Sequence, residues 1–194
     1  DTVQQFAGQP ITIDLITTIE PGDGGDDTII TGNDNDFVLG GMAADFIDTR
    51  ADSDLVLGDN GLIDYLVTDS DAADIDLITT TDPNLGGIDT ITAGSENDIV
   101  LGGTAGDIIS GNDGNDLVFG DHGKIEGDIG YVEIDRLPFN EPLVIDYTTF
   151  TLLANPHPFV WTSIDTQNAD GGGSDLIRGN AGEDIIIGGQ AGDY

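Results

Sequence analysis

Eleven aspartates recur at fixed intervals. Asp27, Asp36, Asp45 and Asp54 lie nine residues apart, as do Asp89, Asp98, Asp107 and Asp116, and then Asp175, Asp184 and Asp193. Carboxylates can act as acids, bases or nucleophiles, and they are also the oxygen ligands that hard divalent cations take. A glycosidase-like pair needs a raised pKa on one partner and a substrate cleft. A column of equivalent carboxylates has a different need: it cannot stay ionised unaided, and a bridging cation turns its repulsion into a cross-link. The spacing therefore points to metal ligation.

The surrounding residues predict how the column is built. Two positions after each of the first ten aspartates stands an aliphatic residue: Ile29, Val38, Ile47, Val56, Ile91, Val100, Ile109, Val118, Ile177 and Ile186. The unit reads Gly-Gly-x-Gly-x-Asp-x-aliphatic-x, closely kept in GNDGNDLVF and GNAGEDIII and looser in GGMAADFID and TRADSDLVL. Glycines suit tight turns, and the residues flanking the aliphatic one suit a short strand with one inward side chain. Two nonapeptides then make one coil, so that residues eighteen apart, such as Asp27 and Asp45, stack on one edge.

This repeat resembles that of the RTX (repeat-in-toxin) family of calcium-binding proteins, over roughly half of the chain in three blocks. The resemblance implies an all-β fold of parallel β-roll blocks, with several Ca2+ ions as cofactor. Each ion would sit between turns one coil apart, held by both aspartates, by carbonyls at positions two and four of the earlier turn, and by carbonyls at positions one and three of the later turn. Carried over, one ion takes Asp23, Gly25, Asp27, Gly40, Met42 and Asp45, and its neighbour on the other edge takes Gly32, Asp34, Asp36, Thr49, Ala51 and Asp54. In the second block Leu85, Gly87, Asp89, Gly102, Thr104 and Asp107 form one set, and Gly94, Glu96, Asp98, Gly111, Asp113 and Asp116 the other. In the third, Gly171, Gly173, Asp175, Gly188, Gln190 and Asp193 form a set, with Asp184 a ligand on the opposite edge.

Departures from the pattern predict weaker sites. Position four is not glycine at Asp34, Ala43, Asp52, Glu96, Ala105 and Ala191, which forces a strained or altered backbone there. The first two blocks end in GDNG (Gly58 to Gly61) and GDHG (Gly120 to Gly123), which begin like a fifth turn but carry Ile63 and Ile125 where the aspartate belongs. A third ion in each block, on Asp45 with Gly58 and Asn60, or on Asp107 with Gly120 and His122, is expected to have a poorer ligand set.

A longer period encloses the nonapeptides. LITTIEPGDGGDDTI from Leu15 returns as LITTTDPNLGGIDTI from Leu77, 62 residues on, and more faintly as SIDTQNADGGGSDLI from Ser163. The chain divides into a spacer at 1–21, a roll block at 22–61, a spacer at 62–83, a second block at 84–123, a longer insert at 124–169 and a third block at 170–194. It starts at an aspartate and stops within a repeat at AGDY, as a processed product or fragment of a longer protein is expected to do. The spacers ITIDLITT, LIDYLV and ADIDLITTT read as short strands. The long insert carries Tyr131, Phe139, Tyr147, Phe150, Phe159 and Trp161, either as a packed hairpin or as a partner-binding surface.

The two faces of the roll differ. Outward residues of the first sheet (Thr28, Ile30, Phe46, Asp48, Thr90, Thr92, Ile108, Ser110) are mixed, as on a solvated face. Those of the second (Phe37, Leu39, Leu55, Leu57, Ile99, Leu101, Leu117, Phe119, Ile185, Ile187) are apolar throughout. Such a face needs a cover, either the spacer strands or a neighbouring chain, so self-association or lateral packing through it and through residues 129–164 is a candidate partner interaction.

Composition excludes several function classes. With 38 acidic against 4 basic residues and a net charge of −34, the chain cannot match the phosphates of nucleic acid or of an anionic membrane. No apolar run is long enough to insert in a membrane, and there is no signal-peptide pattern and no cysteine. His122 and His157 have no metal-ligand spacing, and His122 replaces Asn60 in a matching turn. No nucleophile elbow, zinc-protease helix, phosphate loop or EF-hand occurs, so no catalytic residue is expected. The expected function is a calcium-binding structural segment of a secreted or cell-surface bacterial protein, of adhesin, surface-layer or filament type. The resemblance implies type I export and folding outside the cell. The alternative is the folding and secretion module of an RTX exoenzyme or toxin.

Overall fold

The computed structural model describes residues 13–67, 75–127, 144–146, 151–153, 161–167 and 170–194. All regular structure among them is strand. Each nonapeptide contributes one strand, and successive strands alternate between two parallel sheets, as a period of nine with one inward aliphatic residue requires. The first sheet contains β2 (Thr28–Gly32), β4 (Phe46–Arg50), β8 (Thr90–Ser95), β10 (Ile108–Asp113) and β16 (Leu176–Ala181) in that spatial order. The second contains β3 (Phe37–Leu39), β5 (Leu55–Leu57), β9 (Ile99–Leu101), β11 (Leu117–Phe119) and β17 (Ile185–Ile187).

The blocks that are separate in sequence are contiguous in space. β4 pairs directly with β8 (Phe46 opposite Thr90), and β5 with β9 (Leu55 opposite Ile99). Likewise β10 pairs with β16 (Ile108 opposite Leu176) and β11 with β17 (Leu117 opposite Ile185). The spacers leave the roll and return without breaking its register, so three blocks make one continuous roll.

The spacer strands form a third, antiparallel sheet: β1 (Leu15–Thr17), β6 (Gly61–Asp64), β7 (Leu77–Thr80), β12 (Gly123–Glu126) and β15 (Ser163–Thr166), in that order. The second insert also holds a hairpin of β13 (Val144–Asp146) and β14 (Thr151–Leu153). The remaining aromatic residues proposed as a binding surface, Tyr131, Phe139, Tyr147, Phe150 and Phe159, lie outside the described residues, whereas Trp161 packs against the core.

Two apolar cores follow. Inside the roll, Val38, Ile47, Val56, Ile91, Val100, Ile109 and Val118 stack in a single file per sheet. Between the second sheet and the spacer sheet, Leu55, Leu57, Ile99, Leu101, Leu117 and Phe119 meet Ile63, Ile75, Ile78 and Ile125. Each such side chain contributes about 1.5–3 kcal/mol by leaving water. The apolar second face is thus covered from within the chain along its middle, while Phe37, Leu39, Ile185 and Ile187 at its two ends are half-buried. The mixed face of the first sheet stays open, with Ile30, Phe46 and Ile108 exposed.

The expected backbone cost at position four is present. Asp34, Ala43, Asp52, Glu96, Ala105 and Ala191 all hold φ between 63° and 82°, the left-handed region that disfavours a side chain.

Candidate metal centre

The repeat aspartates form two unbroken ladders along the two edges of the roll. On edge one the backbone N–H of each aspartate donates to Oδ1 of the next: Asp27 to Asp45 (2.8 Å), Asp45 to Asp89 (2.8 Å), Asp89 to Asp107 (2.8 Å), Asp107 to Asp175 (2.7 Å) and Asp175 to Asp193 (3.1 Å). On edge two Asp36 donates to Asp54 (2.8 Å), Asp54 to Asp98 (2.8 Å), Asp98 to Asp116 (3.0 Å) and Asp116 to Asp184 (3.1 Å). The pairs eighteen apart in sequence come together as expected. Those bridging the spacers, Asp45 with Asp89, Asp54 with Asp98, Asp107 with Asp175 and Asp116 with Asp184, were invisible to a fixed period.

These cross-spacer pairs supply the block-end turns with an aspartate, while the carbonyls of Asn60 and His122, expected as ligands there, accept the N–H groups of Thr81 and Gln167 (both 2.9 Å) in the spacer sheet. Gly58, Asp59 and Asn60 start a turn that the chain leaves for β6 and β7, and the turn is completed by Gly87, Ile88 and Asp89. Gly58 stacks in position one, receiving the Gly41 N–H on its carbonyl (3.1 Å) and donating to Leu101 (2.9 Å). Gly120, Asp121 and His122 are completed in the same way by Gly173, Ser174 and Asp175. The aspartate missing at Ile63 and Ile125 is therefore supplied from beyond the spacer.

Sequence reasoning missed Asp59 and Asp121, which hold these split turns together. Asp59 accepts the N–H groups of Gly87 (2.9 Å) and Thr104, and Asp121 those of Gly173 (2.7 Å) and Gln190. The shared GDxG of both turns was the available signal. Position two of each split turn is consequently Asp59 or Asp121. The carbonyls of Leu85 and Gly171, assigned to that position, accept hydrogen bonds from Asn60 Nδ2 (2.9 Å) and the Ala105 N–H (2.8 Å). His122 is buried in its turn with Nδ1 3.2 Å from Thr80 Oγ1, and burial lowers its pKa, as suits a structural residue. At the outer positions Asp34, Glu96 and Asp113 are exposed, as are Asp23 and Gly25 in the first turn.

The second carboxylate oxygen of the seven inner ladder aspartates points to what the edges hold. Oδ2 of Asp45, Asp54, Asp89, Asp98, Asp107, Asp116 and Asp175 is buried with no protein donor. Burial raises these acids: Asp98 and Asp107 to about 9, Asp89 and Asp175 to about 7, Asp54 and Asp116 to about 6, with neighbouring aspartates adding to the rise. A buried carboxylate with one oxygen satisfied and the other orphaned calls for a cation or a proton. The space for a cation is present. A Cβ added to Gly40, Gly58, Gly102 or Gly120 would lie within 2.6 Å of both the Oδ2 of its own turn (Asp45, Asp89, Asp107, Asp175) and the carbonyl of the next coil (Gly58, Gly102, Gly120, Gly188). None of these four glycines has a positive φ, so glycine is needed there for room and not for backbone conformation. All-oxygen donors around such a space suit a hard cation of calcium type.

A family model for the RTX calcium-binding nonapeptide repeat matches in four copies, over residues 21–61, 85–118, 101–124 and 169–194, more than half of the chain. The chain belongs to that family. It is a calcium-binding RTX repeat segment of a bacterial protein, and its repeats bind Ca2+ at multiple sites. No curated protein and no solved structure matches it. Among the described residues there is no helix long and apolar enough to cross a membrane. In the arrangement that the RTX resemblance implies, Met42 and Ala51 would contribute a backbone carbonyl, which leaves their side chains free to vary.

Proposed function

We propose that this RTX segment is a calcium-hardened structural element of a secreted or cell-surface protein, of adhesin, surface-layer or filament type. The observation that carries the reading is the run of orphaned Oδ2 atoms on edge one, from Asp45 through Asp89 and Asp107 to Asp175, which crosses both inserts without interruption. Calcium bound there joins residues from both sides of each spacer, such as Gly58 and Asp89, and so favours the folded roll in proportion to the logarithm of its concentration. In a calcium-poor cytosol the charge of −34 keeps the chain unfolded and exportable by a type I route; outside, millimolar calcium folds it. The segment performs no catalysis, because its carboxylates serve as ligands and turn staples. The regular splitting of turns by sheet-forming inserts favours a repetitive array over the secretion module of an exoenzyme, for which an uninterrupted roll suffices.

Far-UV circular dichroism during calcium titration tests this. The chain in excess chelator should give an unfolded spectrum that converts cooperatively to strand at millimolar calcium. Full strand signal in chelator, unchanged by calcium, would sink the proposal.

A further inference from the structure

Position one of the turn separates the two edges. On edge one it is Gly40, Gly58, Gly102, Gly120 and Gly188, whereas on edge two it is Thr31, Thr49, Ala93, Gly111 and Gly179. The Thr31 hydroxyl donates to the carbonyl of Thr49 (3.1 Å), and the Thr49 hydroxyl donates to the carbonyl of Ala93 (2.5 Å). Thr49 is fully buried, and its hydroxyl also lies beside the Asp54 carboxylate.

We propose that the first two gaps of edge two, between Asp36 and Asp54 and between Asp54 and Asp98, take no calcium and are closed instead by the hydroxyls of Thr31 and Thr49. This rests on the RTX reading of the edges. In that arrangement the position-one carbonyl of the later turn is a ligand, and here that carbonyl is Thr49 in the first gap and Ala93 in the second. A hydrogen bond on that carbonyl does not by itself exclude the ion, since an oxygen has two lone pairs and the Gly58 carbonyl on edge one accepts the Gly41 N–H (3.1 Å); what differs on edge two is the threonine side chain, whose Cβ and hydroxyl stand in the gap itself. The threonine Cβ also occupies the space that glycine keeps open elsewhere: at Gly111, further along edge two, an added Cβ would collide with the Oδ2 of Asp116. A neutral O–H thus does locally what the ion does on edge one, tying one coil to the next. The closure acts at the carbonyl side of each gap and gives no donor to Asp54 Oδ2.

The roll is therefore loaded asymmetrically. Edge one binds calcium along its length, and edge two binds it in the gap between Asp116 and Asp184, where position one is Gly111. Native mass spectrometry of the calcium-saturated chain, reading ions per molecule, tests the assignment. Thr31→Gly with Thr49→Gly should add two ions to the wild-type count. Gly102→Thr should remove one, and Thr49→Val, which keeps the volume and drops the donor, should leave the count unchanged. An unchanged count in the double glycine variant alongside a loss in Gly102→Thr would overturn the proposal, since the threonine gaps would then already be filled. Should the double variant fail to fold, a count for Gly102→Thr equal to wild type overturns it independently, because a position-one side chain would then not exclude the ion. A wild-type chain that retains no calcium at all marks the failure of the RTX reading itself, an outcome distinct from either.

Discussion

Edge one and edge two share the same aspartate ladder, with the same donor, acceptor and spacing, and differ in what surrounds it. Edge one has glycine at position one in every coil from Gly40 to Gly188, and it is also where the chain leaves and re-enters at Asn60/Gly87 and His122/Gly173. Edge two has threonine at its first two turns and no interrupted turn among the described residues. The backbone ladder is therefore independent of metal, and the ion's place is made by the absence of a side chain. The edge most dependent on calcium is the one that must close turns across inserts, where the entropy of bringing distant residues together is greatest.

Calcium removal should erase the difference between the edges, and acid should then rescue both. The ladder acids have folded pKa values of about 6 to 9, from Asp54 and Asp116 up to Asp98 and Asp107, against about 3.9 for an unfolded aspartate. Raised folded values mean that the fold prefers the protonated acids. Their contribution is fully present below about pH 4 and is lost as pH rises through 6 to 9. In excess chelator, far-UV circular dichroism should show strand content rising as pH falls from 8 to 4, with no edge favoured, since Asp98 lies on edge two and Asp107 on edge one. A chelated chain equally unfolded across that range would contradict the burial of these acids.

The comparison sharpens with one substitution on each edge. Asp107 borders two glycine-lined gaps, and Asp54 borders the two closed by threonine. Asparagine keeps an Oδ1 acceptor for the ladder and removes the anionic oxygen. Because calcium affinity follows ligand charge, Asp107→Asn should raise the calcium midpoint of folding by about tenfold or more, and Asp54→Asn by less than about twofold. Equal shifts in a calcium titration would show the edges to be alike.

Much of this was legible in the chain. The nine-residue period of aspartate and aliphatic residue predicts the coil, the two sheets, the inward file from Ile29 to Ile177, beyond which Ile186 is exposed, and the apolar second face in need of a cover. The stacking of Asp45 on Asp89 was not legible, because an insert of arbitrary length breaks the period while leaving the three-dimensional register intact. For the same reason Ile63 and Ile125 looked like lost ligands. Asp59 and Asp121 escaped notice because their partners, the N–H groups of Gly87, Thr104, Gly173 and Gln190, come from other coils. Threonine at position one was visible throughout, but its meaning depends on the carbonyl one coil away.

The smallest expected effect concerns position three, where the side chain should matter least. Met42 is a half-buried residue of an edge-one turn, assigned a ligand role through its carbonyl, and Gly24 of the preceding turn lies against its Cβ. Met42→Ala preserves both the carbonyl and the Cβ, so the calcium midpoint should stay within about twofold of wild type, and stability in saturating calcium within about 0.5 kcal/mol. A midpoint shift as large as that of Asp107→Asn would mean that side-chain packing at position three, and not the backbone oxygen, controls the site. The contrast with Gly102→Thr is then the useful one: a side chain added at position one blocks an ion, and a side chain shortened at position three leaves it in place, because only the first points into the gap between coils.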